Sequence, residues 1–223
     1  MFLDWRYPIE HIGELLSGAW MTAQISVICF IASLLLGTLC SIVRFSKKPK
    51  ILYVFVSAFV EIMRNTPLLV QLFFVFFGIP QIGISLSPWT AGVLVLSLNS
   101  AAYYCEIMRG GIQSIPKGQW EAAESLCLSK TSAFIRVIFP QAVRDAFPSI
   151  ANQLVLLIFG TSVLSILDVR ELTQTASILN SQSFRSMEIF TFVMLFYYAV
   201  TALILLFTRL AYKKWFASKT ERR

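Results

Sequence analysis

Long stretches without a charged side chain divide the chain into apolar segments of membrane-spanning length. The runs 19–43, 146–167 and 189–208 carry no charge. The run 65–105 is also uncharged, but glycines and prolines break it in the middle, so it holds the end of one span and all of the next. A helix needs about 20 apolar residues to cross roughly 30 Å of hydrocarbon. We predict five transmembrane helices, over about 19–43, 51–77, 89–108, 146–167 and 188–210.

Composition supports a membrane protein and argues against a soluble one. Hydrophobic residues make up 57% of the 223 residues and charged residues only 14%, whereas a soluble domain has roughly 45–50% and about 25%. So few charges cannot cover a water-facing surface of this size, which rules out a soluble globular enzyme and a disordered tail. Because we find neither an internal repeat nor a low-complexity linker, we expect one all-α membrane domain over residues 1–223.

Basic residues are concentrated in three segments that share one side of the membrane if the spans alternate. The segments 44–50, 109–145 and 209–223 hold 15 of the 19 lysines and arginines. With Glu106 counted on the same side, this side sums to +10, whereas the opposite side sums to −3. Since basic excess marks the cytoplasmic side, we predict that the N-terminus lies outside and the C-terminus in the cytoplasm. The overall charge of +7 is therefore a topology signal. It does not indicate nucleic-acid binding, because no basic–aromatic stripe accompanies it.

Reactive side chains are scarce in the predicted spans. The single histidine, His11, precedes the first span, so we expect no histidine-based metal site. The glycine-rich run 110–118 lacks the G-K-[ST] ending of a phosphate-binding loop. We assign all four cysteines to packing, since Cys29 and Cys40 of one helix lie about 16 Å apart along its axis, too far for a disulfide. We expect no catalytic site, no metal and no cofactor bound by this chain.

Glu61 and Arg64 are the only charges placed inside a predicted span, away from its ends. Three positions apart on a helix, they share a face and can pair, which removes most of the cost of burying either one alone. Pro67 follows one turn later and is expected to kink the helix and free a backbone carbonyl. Two interpretations remain open. The pair either clasps an interfacial turn near the cytosolic surface or lines a pathway through the bundle.

The connection 109–145 is far longer than the usual two to eight residues between helices. A turn at Pro116 leads into one short amphipathic helix, with Glu121 in its first turn, where the helix dipole favours an anion. Ser129 is a candidate N-cap for a second short helix, which Pro140 is expected to end. Such a pair of helices either docks into the groove of a partner or lies as an elbow on the membrane surface. The spacing alone favours neither interpretation.

Three segments match the motifs of one family, in the family's order. The first begins at Ser114, reads S-I-P-K-G-Q-W-E-A-A, then S-L-C-L-S, then V-I-F-P-Q-A-V-R up to Arg144, and resembles the EAA loop of ABC importer permeases. It is most similar to the polar amino acid branch, which includes histidine, glutamine and arginine permeases. The second, 61–71, reads E-I-M-R-N-T-P-L-L-V-Q and resembles that branch's second-helix motif. The third, 104–116, resembles its third-helix exit, and the resemblance extends over nearly the whole chain.

The resemblance implies a coupling role for the EAA loop, about 114–144, between helices 3 and 4. In the family this helix-turn-helix inserts into a cleft on a cytosolic ATPase subunit and conveys its opening and closing to the membrane helices. Glu121, Ala122 and Ala123 occupy the E-A-A positions. The candidate docking residues are Gly118, Glu121, Ala122, Ala123, Cys127, Arg136 and Pro140.

The chain departs from the family pattern in three places. Cys127 stands at the motif's glycine position, and because its Cβ disfavours positive φ, we expect the turn there to differ unless an αR conformation accommodates it. The I-x-L-P ending appears as 137–140, V-I-F-P. Late in the fourth helix, F-G-T-S-V replaces the K-D-T-S-L run of relatives, with Phe159 and Gly160 at the charged positions. We therefore expect the cavity of this subunit to be less charged than in relatives. Either the substrate differs from theirs, or a non-identical second subunit supplies the charged contacts.

The resemblance implies a permease subunit of an ATP-driven importer in the bacterial cytoplasmic (inner) membrane. Its expected partners are a second permease subunit, identical or not, two cytosolic ATPase subunits that use ATP and Mg²⁺, and an extracytoplasmic solute-binding protein. The expected substrate is a polar or charged L-amino acid or a related compound. The candidate pathway residues are Glu61, Arg64, Pro67, Gln71, Asn99, Asn152, Gln153, Thr161 and Ser162.

Two alternatives accompany this prediction. Asn99, Asn152 and Gln153 equally suit hydrogen bonds between neighbouring helices, in which case they do not contact substrate. The chain as a whole is alternatively an autonomous secondary transporter or channel. That function requires coupling-ion sites or inverted repeats, neither of which we find in the sequence, and it leaves the long loop unexplained.

Overall fold

The computed structural model describes residues 4–216, and this range is almost entirely helical, with no strand. The basic residues Lys219, Arg222 and Arg223, which contribute to the predicted cytoplasmic excess, lie outside the described residues. The α-helices are α1 (Arg6–Glu10), α2 (Ile12–Ser46), α3 (Lys50–Asn65), α4 (Leu68–Phe73), α5 (Pro88–Gln113), α6 (Lys117–Ser125), α7 (Lys130–Ala133), α8 (Phe139–Thr161), α9 (Leu172–Ser183) and α10 (Ser186–Phe216).

Four helical stretches of the described chain are long and apolar enough to cross a membrane, and a bent pair makes a fifth. The prediction of five spans is met if the bent pair counts as one span. The stretches are Ile12–Ser46, Lys50–Asn65 with Leu68–Ile82, Pro88–Gln113, Lys130–Leu167 and Ser186–Lys214.

The second predicted span is broken rather than kinked. Helix α3 ends at Asn65, and Thr66 and Pro67 are extended. The axes on either side of this break differ by 112°. Pro67 causes the break because it has no N–H to donate and because it disfavours a helical conformation at the residue before it.

The fourth span begins earlier than predicted. Helix α7 runs through a π-helical segment, Phe134–Ile138, directly into α8, so that Pro140 lies in the first turn of α8. The prediction that Pro140 ends the second short helix is therefore wrong. A π-helix bonds each N–H to the carbonyl five residues earlier, which lets the helix continue past a proline that would clash with the carbonyl four residues earlier.

The core is the interface between α2 and α5, where backbones approach closely. A Cβ built on Gly37 would lie 2.6 Å from the carbonyl oxygen of Ala101, so α5 sits against a position that only glycine fills. Cys29, Cys40 and Cys105 are buried. This agrees with their assignment to packing, whereas the same assignment is wrong for the fourth cysteine, Cys127, which is exposed.

Candidate functional site

Side-chain hydrogen bonds hold the break at Pro67. Because Pro67 has no N–H, the carbonyl of Met63, four residues earlier, loses its helical donor. That oxygen accepts from Gln71 Nε2 at 2.9 Å and from Asn99 Nδ2 at 3.0 Å. Gln71 also donates to the carbonyl and hydroxyl oxygens of Thr66, and Asn99 donates to Gln71 Oε1 at 3.1 Å. The freed carbonyl expected from the sequence is thus satisfied by two candidate pathway residues, which tie α4 and α5 to the end of α3.

Glu61 and Arg64 do not form the predicted pair. Glu61 Oε1 lies 3.5 Å from an Nη atom of Arg44, and the Glu61 side chain is 59% exposed. Arg64 lies 3.7 Å from Glu106 and has its guanidinium over the ring of Tyr103. The prediction of an intrahelical pair is wrong because each residue finds a partner on a different helix, which sequence spacing does not reveal.

One carboxylate is the centre of this ionic cluster. Glu106 accepts from Arg44 and, at 2.7 Å, from Arg109, in addition to its contact with Arg64. The prediction that Glu61 and Arg64 are the only charges inside spans is therefore wrong, since Arg44, Glu106 and Arg109 lie in membrane-length helices as well. The cluster joins the last turns of α2 and α3 to α5, and its three arginines outnumber its two glutamates.

The candidate pathway residues of the fourth span differ in exposure. Asn152 is exposed and Ser162 is half-buried, whereas Gln153 and Thr161 are buried. Thr161 and Ser162 each donate to a carbonyl one turn earlier, at 2.7 and 2.6 Å. Among the described residues, no hydrogen bond joins these four side chains to the ionic cluster.

Phe159, which replaces a charge of the relatives, lies beside a shallow depression of about 440 Å³. Its ring packs edge-on against Tyr197, with the ring centroids 6.0 Å apart. Ser162 also lines this depression, and none of its described lining residues is charged. The F-G-T-S-V segment thus presents the aromatic ring of Phe159 and the hydroxyl of Ser162 at this surface.

Glu171, which the sequence analysis does not identify, is a buried carboxylate at the N-cap of α9. Glu171 is fully buried, and its side chain caps the helix by accepting from the N–H groups of Thr173 and Gln174 at 2.9 and 2.8 Å. It also accepts from the hydroxyls of Thr22 and Tyr197, at 3.4 and 3.2 Å. Burial raises the pKa of this carboxyl, although the hydrogen bonds oppose the rise. No local spacing rule reveals its burial, because its two hydroxyl partners, Thr22 and Tyr197, lie on α2 and α10.

The first helix of the 114–144 loop is α6, which begins at Lys117 directly after Pro116. Glu121 therefore lies in the second turn and not, as predicted, in the first. Ser129 caps α7 as predicted, with its hydroxyl accepting from the N–H of Ser132 at 3.2 Å. Of the candidate docking residues, Ala123 is buried and the others are exposed: Gly118, Glu121, Ala122, Cys127, Arg136 and Pro140.

The turn between α6 and α7 keeps a left-handed residue even though a cysteine stands there. Cys127 has φ 53°, so the expectation of a different turn is wrong. Its N–H donates to the carbonyl of Glu124 at 2.8 Å, and the N–H of Leu128 donates to the carbonyl of Ala123 at 3.2 Å. These bonds close the end of α6 in the manner of a glycine C-cap and offset the cost of about 1–2 kcal/mol for an L-residue in this conformation.

Aromatic packing fixes the base of the loop to the membrane helices. Phe45, at the end of α2, stacks on Trp120 of α6 and on Phe134, with ring centroids 6.0 and 6.3 Å apart. Ser114 donates to Asp145 of α8 at 3.0 Å. The loop is therefore attached to α2 through Phe45 and to α8 through Asp145. Its exposed residues lie on this fixed base.

Known proteins match this chain over nearly its whole length. Residues 22–219 match the family described as "Binding-protein-dependent transport system inner membrane component". The probable amino-acid ABC transporter permease YckA of Bacillus subtilis is 36% identical, with 96% of each chain covered. The putative glutamine transport system permease GlnP of Rickettsia conorii is 36% identical, over 93% of this chain and 94% of the relative.

Solved structures of transporters match this chain as well. The crystal structure of an amino acid ABC transporter with histidines has a TM-score of 0.90 and 29% identity, over 96% of this chain and 100% of the other. An inward-facing methionine ABC transporter shares the fold, with a TM-score of 0.79 at 17% identity, over 92% of this chain and 97% of the other. The chain thus belongs to the family of binding-protein-dependent transport system inner membrane components, and it is a multi-pass ABC transporter permease of the inner membrane.

Proposed function

We propose that this chain is the permease subunit of an ATP-driven importer for a polar or charged L-amino acid or a related compound. A second permease subunit completes the pathway, an extracytoplasmic solute-binding protein delivers the substrate, and two cytosolic ATPase subunits dock on the 114–144 loop. The N-terminus then lies outside and the C-terminus in the cytoplasm. The observation that carries the proposal is the loop, whose candidate docking residues are mostly exposed while its base is fixed to α2 and α8.

The geometry provides a route from the loop to the pathway. Because α7 continues through its π-helical segment into α8, a displacement of the docking helices moves one continuous helical stretch, Lys130–Leu167. This stretch carries two candidate pathway residues that are not buried, the exposed Asn152 and the half-buried Ser162. ATP binding closes the ATPase pair, draws the two docking loops of the permease dimer together and opens the cavity outward. Hydrolysis resets it.

The buried and exposed polar groups have different roles in this proposal. Gln71 and Asn99 hold the broken second span in shape, since their amide groups are engaged with backbone carbonyls and with each other. The ionic cluster around Glu106 keeps α2, α3 and α5 together next to that break. ATP and Mg²⁺ are bound by the ATPase subunits, and this chain binds no cofactor of its own.

Charge reversal at the docking loop tests the proposal. Glu121→Lys should abolish ATP-dependent uptake of the labelled substrate, because Glu121 is exposed at the E-A-A position and its charge faces the partner. The matched control is Glu10→Lys, which makes the same charge change at an exposed site near the N-terminus and should leave uptake unchanged. Membrane levels of both variants are measured by immunoblot. Normal uptake by the Glu121 variant at normal levels contradicts the docking assignment.

A further inference from the structure

An apolar groove follows one side of α10, where this helix faces α2 and α8. It consists of two cavities of about 260 and 460 Å³ that share Phe30, Leu154 and Ile204 as lining residues. On α10 the groove follows a stripe at helical spacing, which we call the α10 stripe: Phe196, Val200, Ile204, Phe207 and Ala211. The stripe covers 15 residue steps, so the groove is about 22 Å long.

Helices α8 and α10 touch through aromatic pairs near the two ends of this groove. Phe147 packs against Tyr212 and Phe159 against Tyr197, with ring centroids 5.9 and 6.0 Å apart. Between these pairs the helices leave the cavities described above. Protein interiors are normally filled to the density of organic crystals, so an unfilled gap of this size would forfeit the dispersion contacts of its lining.

The hydroxyl groups along the groove are satisfied within the chain. Ser26 donates to the carbonyl of Thr22 at 2.7 Å, Thr22 donates to Glu171, and Thr208 donates to a carbonyl one turn earlier at 3.0 Å. The hydroxyl of Tyr197 is bonded to Glu171 as well. A stable buried water needs two to four polar partners. The surface of the groove is therefore apolar, and it has no site for ordered water.

We propose that the α10 groove is a binding site for a bilayer phospholipid, with one acyl chain lying along the α10 stripe. The chain spans the inner membrane, and Val200, Leu203 and Phe207 of this groove are exposed, so hydrocarbon can reach it. A helix of a second protein copy is 10–12 Å wide and is too large for cavities of about 260 and 460 Å³, whereas an extended acyl chain is only one methylene group wide. One leaflet is about 15 Å deep, and the groove of about 22 Å accommodates that depth.

A basic residue indicates the headgroup. Lys214 is exposed and lies three positions after Ala211 and seven after Phe207, on the same side of α10 as the stripe. It takes part in no ion pair among the described residues. A lysine at the end of a membrane helix extends its ammonium to the headgroup region, where it favours a phosphate that carries net negative charge. The occupant is thus an anionic phospholipid such as phosphatidylglycerol.

Native mass spectrometry of the full-length purified chain tests this site. The protein is mixed with equal amounts of phosphatidylglycerol and phosphatidylcholine that have identical acyl chains, and the retained lipids are counted. Val200→Trp fills the groove and should lose the retained lipid of both kinds. Leu195→Trp is the matched control, because it places the same ring at an exposed position of α10 that does not line the groove, and it should retain lipid as the wild type does.

The headgroup is tested separately. Wild type should retain phosphatidylglycerol over phosphatidylcholine by about fivefold, since one lysine near the surface contributes about 1 kcal/mol. Lys214→Gln should abolish that preference without changing the number of lipids, whereas Lys50→Gln, an exposed lysine at the start of α3, should keep it. The proposal is overturned if wild type retains no lipid or if the two tryptophan variants retain equal amounts. Equal preference in the two glutamine variants overturns the headgroup assignment, and these variants remain informative if Val200→Trp does not fold.

Discussion

Replacing Gln71 by leucine should destabilise the folded chain, because this one side chain bridges the broken span. Gln71 donates to the carbonyls of Met63 and Thr66 and to the Thr66 hydroxyl, and it accepts from Asn99. The amide nitrogen has two hydrogens, so these contacts amount to three hydrogen bonds. Leucine is similar in size and apolar, so it removes them without opening a large cavity. The break at Pro67 itself remains, and with it the need to satisfy the freed carbonyl.

The expected loss follows from the number of bonds. Hydrogen bonds between membrane helices contribute about 0.6 kcal/mol each on average, so three of them predict a loss of about 2 kcal/mol in the free energy of unfolding. Asn99 still donates to the carbonyl of Met63 at 3.0 Å, which keeps the loss below that of a fully unsatisfied buried carbonyl. The equilibrium constant for unfolding should rise by about 30-fold.

The assay is equilibrium unfolding of the purified chain in mixed micelles with increasing denaturing detergent, followed by circular dichroism. The control is Asn152→Leu, which makes the matching amide-to-leucine change at an exposed position of α8 and should shift stability by less than about 0.5 kcal/mol. A Gln71 variant as stable as the control would refute the view that this side chain holds the break.

Three further predictions follow from single contacts. Gly37→Ala should cost about 1–3 kcal/mol of stability, because its Cβ would lie 2.6 Å from the backbone of α5, whereas Gly13→Ala, whose Cβ meets nothing within 4 Å, should be neutral in the same unfolding assay. Cys127→Gly should raise the thermal midpoint of the purified chain, since glycine adopts φ 53° without the Cβ penalty; a lowered midpoint would contradict this. The raised pKa of Glu171 means that the folded state holds its proton longer than the unfolded state, so stability should fall as pH rises from the ordinary glutamate range through that raised pKa. Glu171→Gln should flatten this part of the stability–pH curve, and an unchanged slope would contradict the assignment.

The approximate spans and the disturbance of the second span at Pro67 could be predicted from the sequence because each depends on local chemistry. Charge-free runs of membrane length mark the helices, and Pro67 removes an N–H whatever surrounds it. The cap at Ser129 is equally local. The size of the bend, 112°, was not predictable, because it depends on how Gln71 and Asn99 bind the freed carbonyl across two elements.

The errors concern contacts between elements that are distant in sequence. Spacing placed Glu61 and Arg64 on one face, but their partners Arg44 and Glu106 lie on other helices. The sequence does not reveal the burial of Glu171, since its partner Thr22 is 149 positions away. Residue propensity alone predicts that Cys127 avoids the left-handed conformation, but hydrogen bonds at the end of α6 outweigh that propensity.

The central claim is that the 114–144 loop couples this permease to an ATPase, and co-purification tests it most directly. The tagged full-length chain is extracted from its native membranes in mild detergent, and the amount of ATPase subunit per permease is quantified for wild type and for Glu121→Lys. The account predicts that an ATPase subunit co-elutes with wild type and is lost from the variant, while the variant remains inserted and helical. Equal amounts of ATPase with both proteins, or none with wild type, would contradict it.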